Sequence, residues 1–255
     1  REWIEAYFPI RNKSGELELL KLNPAQRMFE TLILRMERAG VPVRIIILKA
    51  RQMGFSTFVQ AIMFERVLRG HHVRGLIVSD NKERSETLLA IAQIARQNML
   101  KDTKSNTHWD FKMTSKARDT FRFGEPISGE VEVTTAEAPR PGQGGTRTLL
   151  HLSESAHFKN PERTYASCIS SLPTLPWTYG FEESTANGDR GRFRNDFWDS
   201  YREKDSPLFE RKYPWSACFF AWWQHPEYYW TRSYGAGRHL PEKTYSTIMA
   251  TLFFE

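Results

Sequence analysis

Residues 45–57, IIILKARQMGFST, decide how this chain folds. The run Ile45–Leu48 is short, apolar and rich in β-branched residues, as a strand covered on both faces requires. Gly54 follows, and Ser56 and Thr57 open a stretch with helical spacing over 56–69, with Val59, Ile62, Met63 and Val67 on one side. Strand, glycine turn and helix start form the layout in which backbone N–H groups cradle phosphate oxygens. Ser56 and Thr57 stand where such a loop places its magnesium-ligating hydroxyl. The lysine usually found just after the glycine is absent, and Phe55 occupies its place. A phenylalanine cannot neutralise the β and γ phosphates as a long ammonium does. Lys49, at the strand end, and Arg51, inside the loop, are the candidate replacements. The plainer alternative is a strand–turn–helix with an incidental glycine.

Around this stretch, strands and helices alternate. Helical spacing covers 24–39 and 82–99. Strands are expected at Val43–Leu48, Val73–Val78, Leu149–Leu152 and Thr178–Phe181, and Thr120–Phe123 with Val131–Thr135 reads as a two-strand insert. Alternation of this kind predicts an α/β fold with a mainly parallel central sheet flanked by helices. Residues 191–240 change character, crowded with Trp, Tyr, Phe and Arg. A core over 1–188 and a small C-terminal lid subdomain over 189–255 are therefore expected, the aromatics serving as packing rather than as stacking platforms for bases. No repeats or low-complexity tracts interrupt the chain.

The chain has 255 residues, 40% of them hydrophobic, enough for one sizeable core. A formal charge of +6 is compatible with nucleic acid without being diagnostic of it. Cys168 and Cys218 have no metal-like spacing and read as reduced thiols of a cytosol-like compartment. No apolar run approaches the roughly 18 residues of a membrane span, and no signal peptide is visible. Arg1 at one end and TLFFE at the other suggest a piece of a longer protein.

Three further stretches carry chemistry. TLLHLSESAH, 148–157, is an apolar strand ending at Ser153–Glu154, where a phosphate-cleaving enzyme of this layout carries two acids, one for magnesium and one for the attacking water. The first acid is replaced by Ser153; Glu154 remains. A helix cap at Ser153 is the alternative. EESTANG, 182–188, sets Ser184, Thr185, Ala186 and Asn187 at the end of the strand TYGF, as a phosphate sensor or as an ordinary turn. LNPAQ, 22–26, offers Gln26, whose amide can pair with donor and acceptor on an adenine edge.

In this order the four motifs resemble the ATPase domain of the large terminase subunit of tailed bacteriophages, from about residue 20 to residue 225. KARQMGFST is similar to that family's deviant Walker A motif with its lysine at the first position, here Lys49. HLSE resembles a Walker B variant with serine for aspartate, STAN the coupling motif, and Gln26 the adenine-reading glutamine. The resemblance implies a P-loop NTPase fold of the ASCE type. It also implies an ATP-hydrolysing motor that drives double-stranded DNA into a procapsid without reading its sequence, as a homo-oligomeric ring on the portal protein, with a small terminase subunit. The implied cofactors are ATP and Mg²⁺, the implied location is the host cytoplasm at the procapsid, and no membrane is involved. ATP is expected against Lys49, Arg51, Gln52, Met53, Gly54, Phe55, Ser56 and Thr57. Ser56 ligates magnesium, Ser153 holds a magnesium-bound water, and Glu154 orients the attacking water.

An arginine at the γ-phosphate accounts for roughly 10³ to 10⁵ in rate in such enzymes. The matching position of the approach PRPGQGGTR is Gln143, flanked by Arg140 and Arg147. Arg140 is taken as the finger acting on a neighbouring subunit, Arg51 as a contact within the chain, and Arg147 as a solvated edge charge. The loops near Lys101–Lys104 are candidates for DNA phosphates. The nuclease domain of full-length relatives is expected beyond residue 255. A helicase-like remodelling ATPase and a non-hydrolysing nucleotide-binding module remain the alternatives. Histidine metal chemistry is not expected: His71 and His72 are adjacent and diverge, while His151 lies in the strand and His157 is close enough to tune Glu154.

Overall fold

The computed structural model describes residues 2–70, 72–102, 119–125, 127–139, 141–207 and 210–225. A helix, α1 (Glu2–Tyr7), leads into a hairpin of β1 (Pro9–Arg11) and β2 (Leu17–Leu19). Helix α2 (Pro24–Arg38) begins at a capping box: Asn23 Oδ1 accepts the Gln26 N–H and Gln26 Oε1 accepts the Asn23 N–H, with Pro24 in the first turn.

The body is a seven-stranded sheet in the order β5-β6-β4-β7-β8-β3-β9. Its strands are β3 (Val43–Lys49), β4 (Arg74–Ser79), β5 (Thr120–Arg122), β6 (Glu130–Thr135), β7 (Leu149–Ser153), β8 (Tyr179–Ser184) and β9 (Ser216–Phe220). All neighbours run parallel except β5, which is antiparallel to β6. Helices α3 (Phe55–Arg69), α4 (Lys82–Asp102), α5 (Pro161–Ser170) and α6 (Arg192–Arg202) make the covering layers. On one face, Ile45, Ile47, Ile77, Tyr179 and Phe181 join α2, α3 and α4 in the main core. On the other, Leu76, Val78, Leu150 and Leu152 pack against Tyr165 and Cys168 of α5, and Ile46 packs against Phe193 and Phe197 of α6.

Three expectations are corrected. The pair 120–123 and 131–135 is not a detached insert, because β6 runs parallel to β4 and extends the main sheet. The strand at 178–181 continues to Ser184, so Glu182 and Glu183 are strand residues. Edge strand β9 pairs with β3 and α6 packs on Ile46, so part of 189–255 is built into the same layers as the core. Residues 226–255 lie outside the described residues, as do His71, Lys104 and Arg140.

The connection β3–α3–β4 crosses two strand positions that β7 and β8 later fill. The C-terminal ends of β3, β8, β7 and β4 therefore lie side by side, with Ser79, Ser153 and Glu183 in one register row. On the α3 face the last residues of these strands are Ser79, Ser153, Glu183 and Lys49. Ligands of open parallel sheets bind outside these ends.

Candidate active site

The loop after β3 is held from both sides. Ala50 N–H donates to the Phe220 carbonyl of β9, Asn23 Nδ2 to Met53 O and Gln26 Nε2 to Gly54 O. Gln52 and Gly54 take left-handed backbone, at φ 57° and 74°. Gly54 serves the turn directly, since a Cβ there would meet Gln26 Nε2 at 2.8 Å. Gly54 is also the N-cap of α3 and gives no side-chain cap, so the first-turn N–H groups are left for an anion. Ser56 and Thr57 are half-buried at that start, and Arg51 and Gln52 are exposed.

Phe55 packs inward. Its ring lies 4.5 Å from that of Phe220 and 5.6 Å from that of Phe29, which also meets Phe58 and Phe181. The position of the missing lysine is a keystone of the core. Gln26, 2% exposed, has its amide engaged with Gly54 O and Asn23 N–H.

Lys49 is 7% exposed, and its Nζ lies 2.9 Å from both Glu154 Oε1 and Glu183 Oε2. Burial alone would lower the Lys49 pKa, but the Glu183 and Glu154 carboxylates outweigh it and hold the amine charged. Burial likewise pushes Glu183 up, and Lys49, His151 and Ser56 more than reverse it, keeping the acid well below the usual carboxylate range. Glu154 also ends below its ordinary value: Lys49 and the Thr185 N–H offset burial and the Glu183 charge.

Glu154 sits at the tip of β7 in left-handed backbone, φ 55°, its N–H donating to Glu183 O at 2.7 Å. A non-glycine residue held there costs of order 1 kcal/mol, which the surrounding contacts must sustain. Its Oε2 accepts from Thr185 N–H and Thr185 Oγ1, both at 3.0 Å, with Ser184 Oγ at 3.3 Å and His157 Nε2 at 3.9 Å. Asn187 Nδ2 donates to Ala156 O, and Ala186 is exposed at the rim. The segment 184–187 is thus wired to the carboxylate that precedes it by about 30 residues.

The fold therefore brings Lys49, Ser56, Ser153, Glu154, Ser184 and Thr185 together. It does not leave Arg147 at a solvated edge: that side chain is buried and paired with Glu130 and Glu132. Gln143 is exposed. Two contributors escaped the sequence reading. Glu183 belongs to β8 and not to the turn after it: Tyr179 and Phe181 carry the strand alternation onward to it. Arg84, from the first turn of α4, places Nη1 3.1 Å from Glu154 Oε1 while Asp80 holds its Nε at 2.9 Å. Arg84 had no motif to mark it.

No protein-family model matches the sequence, and no curated protein does. Solved structures do match. The chain superposes on the HK97 bacteriophage large terminase with a TM-score of 0.63 at 14% identity, over 85% of this chain and 42% of that one. The fold is that of a large terminase ATPase domain. The Thermus phage P74-26 large terminase ATPase domain aligns over 91% of this chain and 94% of its own, with a TM-score of 0.51 at 15% identity. The large terminase of a thermophilic bacteriophage, in complex with ADP, gives 0.51 at 12% identity over 78% of this chain and 45% of that one. The chain thus spans less than half the length of two of these terminases and nearly all of an isolated ATPase domain.

Proposed function

We propose that this chain is the ATP-hydrolysing motor domain of a large terminase, which drives double-stranded viral DNA into a procapsid. The observation that carries the reading is the Lys49–Glu154 pair at the mouth of an uncapped helix start, in the fold of terminase ATPase domains.

ATP is the substrate, lying across residues 49–57 with its phosphates toward the first turn of α3. The Ser56 hydroxyl and the carboxylate beside it are hard oxygen donors, as Mg²⁺ requires. Among the described residues no group of three His, Cys, Asp or Glu side chains could form a metal cage. That suits an ion held largely by phosphates and water, with Ser56 as the protein ligand and Ser153 reaching it through water. Bound there, Mg²⁺ neutralises charge on the β and γ phosphates.

The chain's own residues do the rest. Lys49 brings a permanent positive charge to the phosphates from the strand side, doing from β3 what a lysine at position 55 cannot do from inside the core. Arg51 adds an exposed cation at the loop. Glu154 orients the attacking water and accepts its proton. Thr185 and Ser184 grip the other oxygen of Glu154, so departure of the γ-phosphate alters the segment Ser184–Asn187 and, through it, the layer formed by α6. Gln26 fixes the loop backbone at Gly54. Arg140 acts in trans from a neighbouring copy in a ring on the portal, with a small terminase subunit as partner and a nuclease domain beyond residue 255. DNA is held by its phosphates, with residues 101–104 among the contacts, so no base sequence is read.

Phosphate release tests the reading. Glu154→Gln is expected to lower turnover by about 10² to 10⁴ while nucleotide affinity is retained. Hydrolysis at the wild-type rate in that variant refutes the role of Glu154. Failure of the wild type to release phosphate favours the non-hydrolysing alternative.

A further inference from the structure

Strand β7 has lost the acid that a Walker B strand supplies for the metal, and Ser153 cannot restore its charge. The adjacent strand carries a carboxylate at the same level: Glu183 is the register partner of Ser153. Its side chain is fully buried on the α3 face. One of its oxygens, Oε2, meets Lys49. The other, Oε1, is surrounded by Ser56 Oγ at 2.6 Å, Ser153 Oγ at 2.7 Å and His151 Nε2 at 3.3 Å. This oxygen therefore lies between the hydroxyl expected on the metal and the hydroxyl that replaced the aspartate.

The direction of the Ser56 bond matters. A serine hydroxyl ligates a cation through its lone pairs, so its proton must point elsewhere. Here it points to Glu183. Such outer partners orient a ligand and raise its basicity. Of the two buried carboxylates that share Lys49, Glu154 also has Arg84 at the rim, itself held by Asp80, and Arg84 makes no ion pair with Glu183 among the described residues.

We propose that Glu183, projecting from β8, is the positioning carboxylate for the divalent cation of this site, taking over from the neighbouring strand the task of the aspartate missing from β7. This rests on the ATPase reading above and names the residue that completes its metal site. In the sequence, the arrangement corresponds to a serine in HLSE and a glutamate immediately before STAN.

The test measures affinity for a fluorescent, slowly hydrolysed ATP analogue with Mg²⁺ or with EDTA, in the full chain. Wild type should bind more tightly with Mg²⁺. Glu183→Gln should lose about 10- to 100-fold of that gain and keep its affinity in EDTA. Adding Ser153→Asp to that variant should return the gain, because the charge is restored from β7. Three results overturn the inference: an unchanged Mg²⁺ dependence in Glu183→Gln, an equal loss with and without Mg²⁺, or no recovery in the double variant. Absence of any binding by wild type is a different failure, since it removes the ATPase reading itself and this inference with it. Should Glu183→Gln not fold, wild-type crystals grown with Mn²⁺ and the analogue decide the matter by anomalous scattering. A manganese peak at Ser56, within about 4 Å of Glu183 Oε1 (direct or through one water), supports the assignment. A peak distant from both residues overturns it.

Discussion

Lys49 Nζ stands 2.9 Å from Glu154 Oε1 although their strands, β3 and β7, are separated in the sheet by β8. Only a long side chain from a strand end, turned along the row of carboxyl termini, spans that gap. The same amine meets Glu183 on the intervening strand. One cation thus ties three consecutive strands of the sheet together at the mouth of the site.

Lys49→Met should cost about 3–5 kcal/mol in denaturant unfolding at neutral pH, because two buried carboxylates lose their counter-charge. The loss should shrink as the pH falls, since the deprived acids then take up protons. Nucleotide affinity should fall with it. A variant with ordinary stability and ordinary phosphate release would remove the lysine from the centre of the mechanism.

Phe55→Lys puts the missing Walker lysine back by sequence, yet it should not improve nucleotide binding. The side chain would enter the cluster of Phe29, Phe58 and Phe220 and bury an unpaired ammonium there. The expected outcome is a loss of several kcal/mol, read as a lower melting temperature. A melting temperature equal to wild type with tighter ATP binding would show that the loop accepts both lysine positions.

Thr185→Ala removes one of the two hydrogen bonds that Thr185 makes to Glu154 Oε2 and leaves the backbone one. Hydrogen bonds to charged groups contribute about 1.5–3 kcal/mol. If that contribution is exerted on the oriented carboxylate, kcat should fall by about 10- to 100-fold with little change in KM. An equal rise in KM at constant kcat would place Thr185 in ground-state binding instead.

Much of this was legible because periodicity reports burial. Ile45–Leu48 with Gly54, and Leu149–Leu152 with Glu154, announced two parallel strands and the loop between strand and helix. The acids of β8 were hidden for the same reason. A buried strand is expected to be apolar, so two successive glutamates read as its end. They continue it because Glu183 has Lys49 beside it and Glu182 has Ser155. Arg147 was misread as solvated because nothing in sequence shows that β6 runs alongside β4 and carries Glu130 and Glu132 into its reach. Strand order is settled by tertiary packing, and with it the identity of every charge partner across the sheet.

Glu182 offers the sharpest pH test, because it lies one residue from Glu183 and faces the opposite layer. Its carboxyl is buried beneath α6, with Ser155 Oγ donating to it at 2.8 Å. Burial, aided by the charge of Asp196 and opposed by Ser155 and Arg192, pushes its pKa up to about 8 from an ordinary 4.5. The native state therefore holds a proton that the unfolded chain has already released across that interval. Its contribution to stability is full below about pH 4.5, declines by up to about 1.4 kcal/mol per pH unit, and is lost as the pH rises through about 8. Glu182→Gln resembles the protonated acid and cannot ionise. Its stability relative to wild type should rise steadily from pH 5 to pH 8, read as the difference in unfolding free energy at each pH. A difference that stays constant across this range would mean that Glu182 is ionised in the folded chain, with Arg192 or another cation drawn close enough to hold it so.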